Sequence, residues 1–199
     1  MSRLRIAIPA LAALVAASAG AQNLLINPDF NENPDGWLVV CGSNPVWQMT
    51  EDEAGCPGSG SVAVTSGACP PVVGSAFGQC LPVGSLAELS ATGRVRAASG
   101  FVGAGLEFYD AAGCTGNLVL QVSSTPTPAS GQWQTVTLDQ AVPSGSVSVL
   151  VGFGALDLSP VDSEVDAGYA GAVPLVFRDD FEGDTEGDTV PCRWSAAVP

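Results

Sequence analysis

The sequence predicts an all-β protein, an antiparallel β-sandwich of the jelly-roll kind. Two observations carry that expectation. About ten short runs alternate apolar and polar residues, the period of a strand with one buried face and one wet face. The 199 residues also include 24 glycines and 15 prolines, which separate the runs with turns and leave no stretch of helical periodicity.

The clearest alternation spans Leu86 to Asp110. Ala87, Leu89, Ala91, Gly93 and Val95 alternate with Glu88, Ser90, Thr92, Arg94 and Arg96. After a short break, Val102, Ala104, Leu106 and Phe108 alternate with Gly103, Gly105, Glu107 and Tyr109. The stretch reads as two adjacent antiparallel strands. Their common wet face is then expected to carry Arg94, Arg96, Glu107 and Tyr109, and that face is the first candidate for function.

The remaining elements follow in chain order. Asn23 to Phe30 reads as a short strand ending in a turn, and Asn33-Pro34-Asp35-Gly36 is a strong turn signal. Trp37 to Cys41 and Val46 to Thr50 are strand candidates. Glu51 to Gly60 is an acidic, glycine-rich loop. Ser61 to Thr65 alternates with Val62 and Val64 on one face, and Ala76 to Val83 carries Phe77, Cys80 and Leu81. Beyond the central stretch, Leu118 to Val122 is short and apolar. Gln132 to Leu138 places Gln134, Val136 and Leu138 opposite Trp133, Thr135 and Thr137. Ser146 to Phe153 points Val147, Val149, Val151 and Phe153 inward, and Tyr169 to Phe177 is the last candidate strand.

Residues 1–21 stand apart. A basic start with Arg3 and Arg5, an apolar run from Ile6 to Ala19 and the site Ala19-Gly20-Ala21 read as a secretory signal peptide. The run is too short to span a bilayer, which needs about 20 apolar residues. Without Arg3 and Arg5, four arginines (Arg94, Arg96, Arg178, Arg193) stand against 20 acids, a formal charge of −16. Such a surface excludes nucleic acid as a partner, because phosphate binding needs clustered Lys and Arg. It suits neutral ligands or divalent cations.

Six cysteines in an exported chain read as three disulfides. Fifteen pairings are possible. Chain order and the strand reading favour Cys41 with Cys56 and Cys80 with Cys114, which leaves Cys69 with Cys192. Zinc is disfavoured by the absence of histidine and of any C-x-x-C pair.

Most catalytic equipment is missing. With no histidine there is neither a Ser-His-Asp triad nor an H-E-x-x-H zinc site. With no lysine there is neither a Schiff base nor a Walker A loop. Only a two-carboxylate glycosidase mechanism survives. Its one candidate, Glu164-Val-Asp166-Ala-Gly-Tyr169, resembles the E-x-D-x-x-E strand of jelly-roll glucanases but has Tyr169 in place of the third acid. The expectation is a protein that is not an enzyme.

The order of the runs is itself informative. NLLINPDF, then Gly36-Trp37, SGSVAV, Gln79-Cys80, LSATGRVR, VGAGLEFYD, GQWQTVTL and SVSVLVGF resemble the jelly-roll carbohydrate-binding modules of bacterial secreted glycoside hydrolases, in the galactose-binding-like superfamily. The resemblance covers about Asn23 to Leu175, within an expected domain of residues 22–175. It implies a non-catalytic module that binds glycan on the open face of one sheet. On that reading Arg94, Arg96, Glu107 and Tyr109 contact hydroxyls, Trp133 and Trp47 are the candidate stacking rings, and Trp37 belongs to the core.

The resemblance also implies a structural calcium. Its acidic positions are only partly kept: Asn31 stands where Glu is common and Gly171 where Asp belongs. Asp29, Glu32 and Asp166 remain as oxygen ligands. Residues 176–199 resemble a short acidic C-terminal extension of exported gammaproteobacterial proteins. The whole therefore reads as a monomeric, glycan-binding protein, secreted, periplasmic or on the surface of a Gram-negative bacterium, with no insertion into the membrane. An exported structural or adhesive protein without a sugar site is the alternative.

Overall fold

The computed structural model describes residues 23–28, 30, 33–48, 60–69 and 72–172. The expected signal peptide, the C-terminal extension, Asp29, Glu32, Cys56 and Cys192 lie outside these residues. Twelve strands are present among the described residues: β1 (Leu38–Cys41), β2 (Ser43–Gln48), β3 (Ser61–Thr65), β4 (Gly67–Cys69), β5 (Val72–Pro82), β6 (Glu88–Ala97), β7 (Phe101–Ala111), β8 (Thr115–Ser123), β9 (Thr127–Pro128), β10 (Gln134–Ala141), β11 (Ser148–Asp157) and β12 (Ser163–Ala172).

They form two antiparallel sheets that pack as a sandwich. One runs β1-β5-β11-β7-β8, with β4 also pairing β5 and β9 also pairing β7. The other runs β10-β6-β12-β3-β2. This is the expected all-β jelly-roll architecture. No helix among the described residues is long and apolar enough to cross a membrane.

The period-2 pattern identifies the inward residues correctly. Leu89, Ala91 and Val95 on β6, Val102, Ala104, Leu106 and Phe108 on β7, and Val149, Val151 and Phe153 on β11 are all buried. Val147 and Ala87 are exceptions: they precede β11 and β6 and are exposed. The pairing expected for the central stretch is overturned. β6 and β7 are consecutive in the chain but lie in different sheets. β6 bonds to β10 and β12, and β7 bonds to β8, β9 and β11. Alternation specifies which side chains face inward. It is silent on whether the next strand pairs edge to edge or faces it across the core.

The sheets meet closely where Phe153 of β11 lies over Gly93 of β6. A Cβ on Gly93 would come within 2.6 Å of Phe153 Cδ1, so the glycine makes room for the ring. Phe153 continues into an aromatic cluster. Its ring centroid is 6.5 Å from that of Trp37, which stacks on Phe77 at 5.8 Å and packs against Phe30 at 5.0 Å. Trp37 is thus a core residue, as expected, and its indole N–H donates to the Ile26 carbonyl at 2.9 Å.

Residues 23–28 do not form the expected first strand. Leu24 N–H donates to Ala170 O at 2.7 Å beside β12, but Asn27 and Phe30 take positive φ values of 51° and 46° and end the extended path. The segment is held instead by buried Gln79 of β5. Its Oε1 accepts from Ile26 N–H at 2.7 Å, and its Nε2 donates to Ile26 O at 3.0 Å and Gly36 O at 3.1 Å. The last strand also differs from expectation: it begins at Ser163 rather than Tyr169.

One disulfide matches expectation and the others do not. Cys80 bonds Cys114, with Cα atoms 5.9 Å apart. Cys41 bonds Cys69, with Cα atoms 5.8 Å apart, which overturns both Cys41–Cys56 and Cys69–Cys192. The reason is topological. β1 and β4 both pair with β5, at Ala76–Gly78 and Val72–Gly74 respectively, which brings the C-terminal cysteine of each strand to the same edge.

Replacing Gln79 by Leu keeps the volume but strands the Gly36 carbonyl and the Ile26 N–H, while Ile26 O keeps the Trp37 indole as donor. We expect a loss of about 1–3 kcal/mol, read as a lower urea midpoint at unchanged slope.

Candidate functional site: a glycine-floored groove

β11 is the middle strand of the seven-stranded sheet, so it has a strand on each side and two fully used faces. Val149, Val151, Phe153 and Ala155 point into the core. Leu150, Gly152, Gly154 and Leu156 therefore point outward. The register aligns Gly152 with Gly78 of β5 and Gly105 of β7, and Gly154 with Ala76 and Gly103. Two consecutive rows across three strands carry no side chain larger than a methyl group. Backbone forms the floor of a groove of about 770 Å³.

The floor glycines are of two kinds. A Cβ at Gly78 or Gly154 would meet neighbouring backbone oxygens at 2.4 and 2.1 Å, so close strand approach demands glycine there. At Gly105 the nearest atom would be Val122 O at 3.9 Å, and at Gly152 it would be Val40 Cγ2 at 3.6 Å. Packing does not require glycine at these two positions. Glycine inside a strand costs about 0.5–1 kcal/mol relative to alanine. What Gly105 and Gly152 preserve is open space, and glycine in a strand is a mark of close ligand approach.

The walls differ in character. The β7–β8 side presents Glu107, Gln121, Ser123 and Ser124. Most of the rest is apolar, with Val40 from β1, Leu150 and Leu156 from β11, Phe101 from the start of β7, and Leu158; Asp157 is the exception. The carboxylate of Glu107 is fixed from both sides. Tyr109 Oη donates to Oε2 at 2.5 Å, and Gln121 Nε2 donates to Oε1 at 2.9 Å. The tyrosine does not line the groove but orients a residue that does. Its hydroxyl donates to a carboxylate and ionises beside a like charge, so its pKa is pushed up to about 12, with burial adding to the effect.

The structure splits the four-residue face expected from sequence. Glu107 and Tyr109 are on the outside of the seven-stranded sheet. Arg94 and Arg96 are on the outside of the five-stranded sheet, at the opposite surface of the sandwich. There they meet acids across strands: β12 places Glu164 opposite Arg96 and Asp166 opposite Arg94. Arg96 Nε donates to Glu164 Oε2 at 2.9 Å and the two form a salt bridge. The Arg96 guanidinium also sits 5.0 Å from the centre of the Trp133 ring. Arg94 donates to Thr135 Oγ1 at 2.5 Å. The expected stacking ring Trp133 is therefore part of an arginine ladder, remote from the groove. Trp47 is half-buried, and its indole N–H donates to Phe30 O at 2.8 Å. Of the expected calcium ligands only Asp166 is described, and it is 5% exposed beside Arg94. No group of three metal-binding side chains gathers among the described residues.

No protein-family model matches this sequence, and no curated protein matches it. Solved structures do. A xylan-binding domain of carbohydrate-binding module family 22 superposes with a TM-score of 0.55 at 13% identity, over 80% of this chain and 99% of its own. The C-terminal family 22 module of Clostridium thermocellum Xyn10B superposes with 0.55 at 12% identity, over 74% and 93%. The fold is the jelly roll of carbohydrate-binding modules. The enzymatically active domain of tailspike protein 4 from bacteriophage CBA120 also matches, with 0.55 at 15% identity over 75% of this chain. This chain spans about a fifth of that tailspike chain, 21%.

Sequence reasoning listed Gly103 and Gly105 among the outward positions but sought function in the charged neighbours. The signal was the pair of glycines on each of two strands, V-G-A-G-L and V-G-F-G-A, whose alignment depends on a pairing the sequence does not display.

Two outcomes follow. Gly105→Val places a β-branched side chain in open space on a strand, so the melting temperature should stay within about 3 °C of the parent or rise, because the glycine entropy cost is removed. Absorbance titration of the two tyrosines at 295 nm should show one midpoint near 12, and Glu107→Gln should bring it back toward the ordinary tyrosine value of about 10. The sign is that of an acid held in its neutral form: the folded state is favoured below the unfolded pKa, and that contribution fades as pH rises through the folded one.

Proposed function

We propose that this protein is a non-catalytic carbohydrate-binding module that holds a neutral glycan chain in the glycine-floored groove. The observation that carries the reading is the open space kept by Gly105 and Gly152, two glycines that packing does not require. Five strands at about 4.8 Å spacing give a groove roughly 19 Å long, which suits a short run of sugar units. Glu107, fixed by Tyr109 and Gln121, is an acceptor for sugar hydroxyls, and Phe101 is a ring against which a sugar face can rest. The structural neighbours named for xylan or ligand binding support the same reading.

The carboxylate-glycosidase reading is disfavoured because its candidate, Glu164, is held by Arg96 on the surface away from the groove. Disulfides favour an oxidising compartment, which fits a role in the periplasm, at the cell surface or in the medium.

Affinity electrophoresis in gels containing soluble xylan, glucomannan or galactan tests the proposal. The parent protein should be retarded by at least one of them. Gly105→Val should weaken that binding about tenfold or more, equivalent to 1.4 kcal/mol, while Arg94→Ala leaves it unchanged. The reverse pattern would move the ligand to the five-stranded sheet. No retardation in any gel would favour the exported structural or adhesive protein.

A further inference from the structure

The groove has an uneven chemistry that a bare polysaccharide does not match. Its exposed hydrophobic side chains include Phe101 at 48%, Leu156 at 44% and Leu158 at 86% exposure, with Val40 lining it from β1; Leu150 stands across the glycine rows, beside Glu107. Apart from Phe101 these are aliphatic, so they offer methyl groups rather than flat rings. Among the described residues, no tryptophan or tyrosine lines the groove. Sugar hydroxyls laid on these aliphatic side chains would lose water and gain no partner from them, which is costly; Asp157 is the one acceptor side chain beside them. Hydroxyl partners are concentrated on the opposite wall, at Glu107, Gln121, Ser123 and Ser124.

The charge is equally one-sided. Glu107 and Asp157 are the charged residues of the lining, and both are acids. Arg94 and Arg96 are on the far surface, engaged with acids and Trp133. An anionic glycan bearing uronate, sulfate or phosphate would meet repulsion with no cation among the described lining residues to offset it.

We infer that the groove selects an uncharged, O-acylated glycan: unsubstituted hydroxyls meet the Glu107 wall, and ester methyl groups cover Leu156, Leu158 and Val40. This rests on the carbohydrate-binding reading and specifies its ligand class. Acylation suits the wall twice over. It removes a hydroxyl donor that the aliphatic side chains cannot satisfy, and it adds a methyl group the wall can bury. Burying one methyl group is worth about fourfold in affinity.

The test compares one probe in two states. Acetylated xylo-oligosaccharides and gluco-manno-oligosaccharides are titrated into the purified protein by calorimetry, before and after alkaline removal of their acetyl groups. The acetylated form of at least one should bind several-fold more tightly. Leu158→Ser, at a site too exposed to affect folding, and Leu156→Ser should each shrink that preference while leaving affinity for the deacetylated form within about twofold. Equal affinity for both forms, or a preference untouched by either substitution, overturns acyl selection and leaves glycan binding standing. No binding of either form of either probe by the folded parent protein overturns both readings.

Discussion

The structure depends on two sheets packing face to face, and Phe153 over Gly93 is a point where they meet with no Cβ between them. Everything else is arranged around it. The ring crosses the space between the sheets because β6 offers no Cβ beneath it. The aromatic cluster of Phe30, Trp37 and Phe77 extends from the same contact, and Gln79 anchors residues 23–28 with two hydrogen bonds to Ile26 and holds Gly36 with a third. A core of this kind is built from contacts distant in sequence, since β6 pairs with β10 and β12, and β7 with β11. Strands that are neighbours in the chain become the two sides of the sandwich.

That arrangement gives β11 two distinct duties. Its odd-numbered residues fill the core and its even-numbered residues floor the groove. The groove therefore stands on the most securely held strand of its sheet, bonded on both sides along nearly its whole length. The disulfides reinforce the same sheet. Cys41–Cys69 joins β1 to β4 at one edge, and Cys80–Cys114 joins β5 to the turn between β7 and β8. They close loops of 28 and 34 residues, each worth about 3.5–4 kcal/mol in the chain-entropy account. A floor made of backbone has no rotamers to reorder, which under the proposed function lowers the entropy cost of holding a ligand.

The two outer surfaces have diverged in charge. On the five-stranded sheet, arginines and acids alternate across strands and largely cancel, with Trp133 covering one guanidinium. Each partly exposed pair contributes about 0–1 kcal/mol. The surface is a tidy polar exterior more than a store of stability. On the seven-stranded sheet, carboxylates stand without arginine partners in the groove lining, and one of them is oriented by a tyrosine and a glutamine. The acidity of the chain as a whole and the absence of cations among the described lining residues are both consistent with the proposed uncharged ligand.

The amino-acid sequence by itself determined the all-β class, the inward face of β6, β7, β10 and β11, the core role of Trp37 and the Cys80–Cys114 bond. Each of these follows from local pattern: side chains alternate with period 2 whatever the strand pairs with, and a large ring beside a turn is buried if any neighbour can bury it. Tertiary structure alone decided the rest. Arg94 and Glu107 have identical local signatures as polar residues on the wet face of a strand, yet they lie on opposite surfaces because β6 and β7 face each other instead of pairing. Cys41 meets Cys69 because β1 and β4 share β5 as a partner. The groove exists because Gly152 falls in register with Gly105 and Gly154 with Gly103. Alternation tells which way a side chain points, but a site needs residues from several strands side by side, and that order is set by the packing of two sheets rather than by any one stretch of chain.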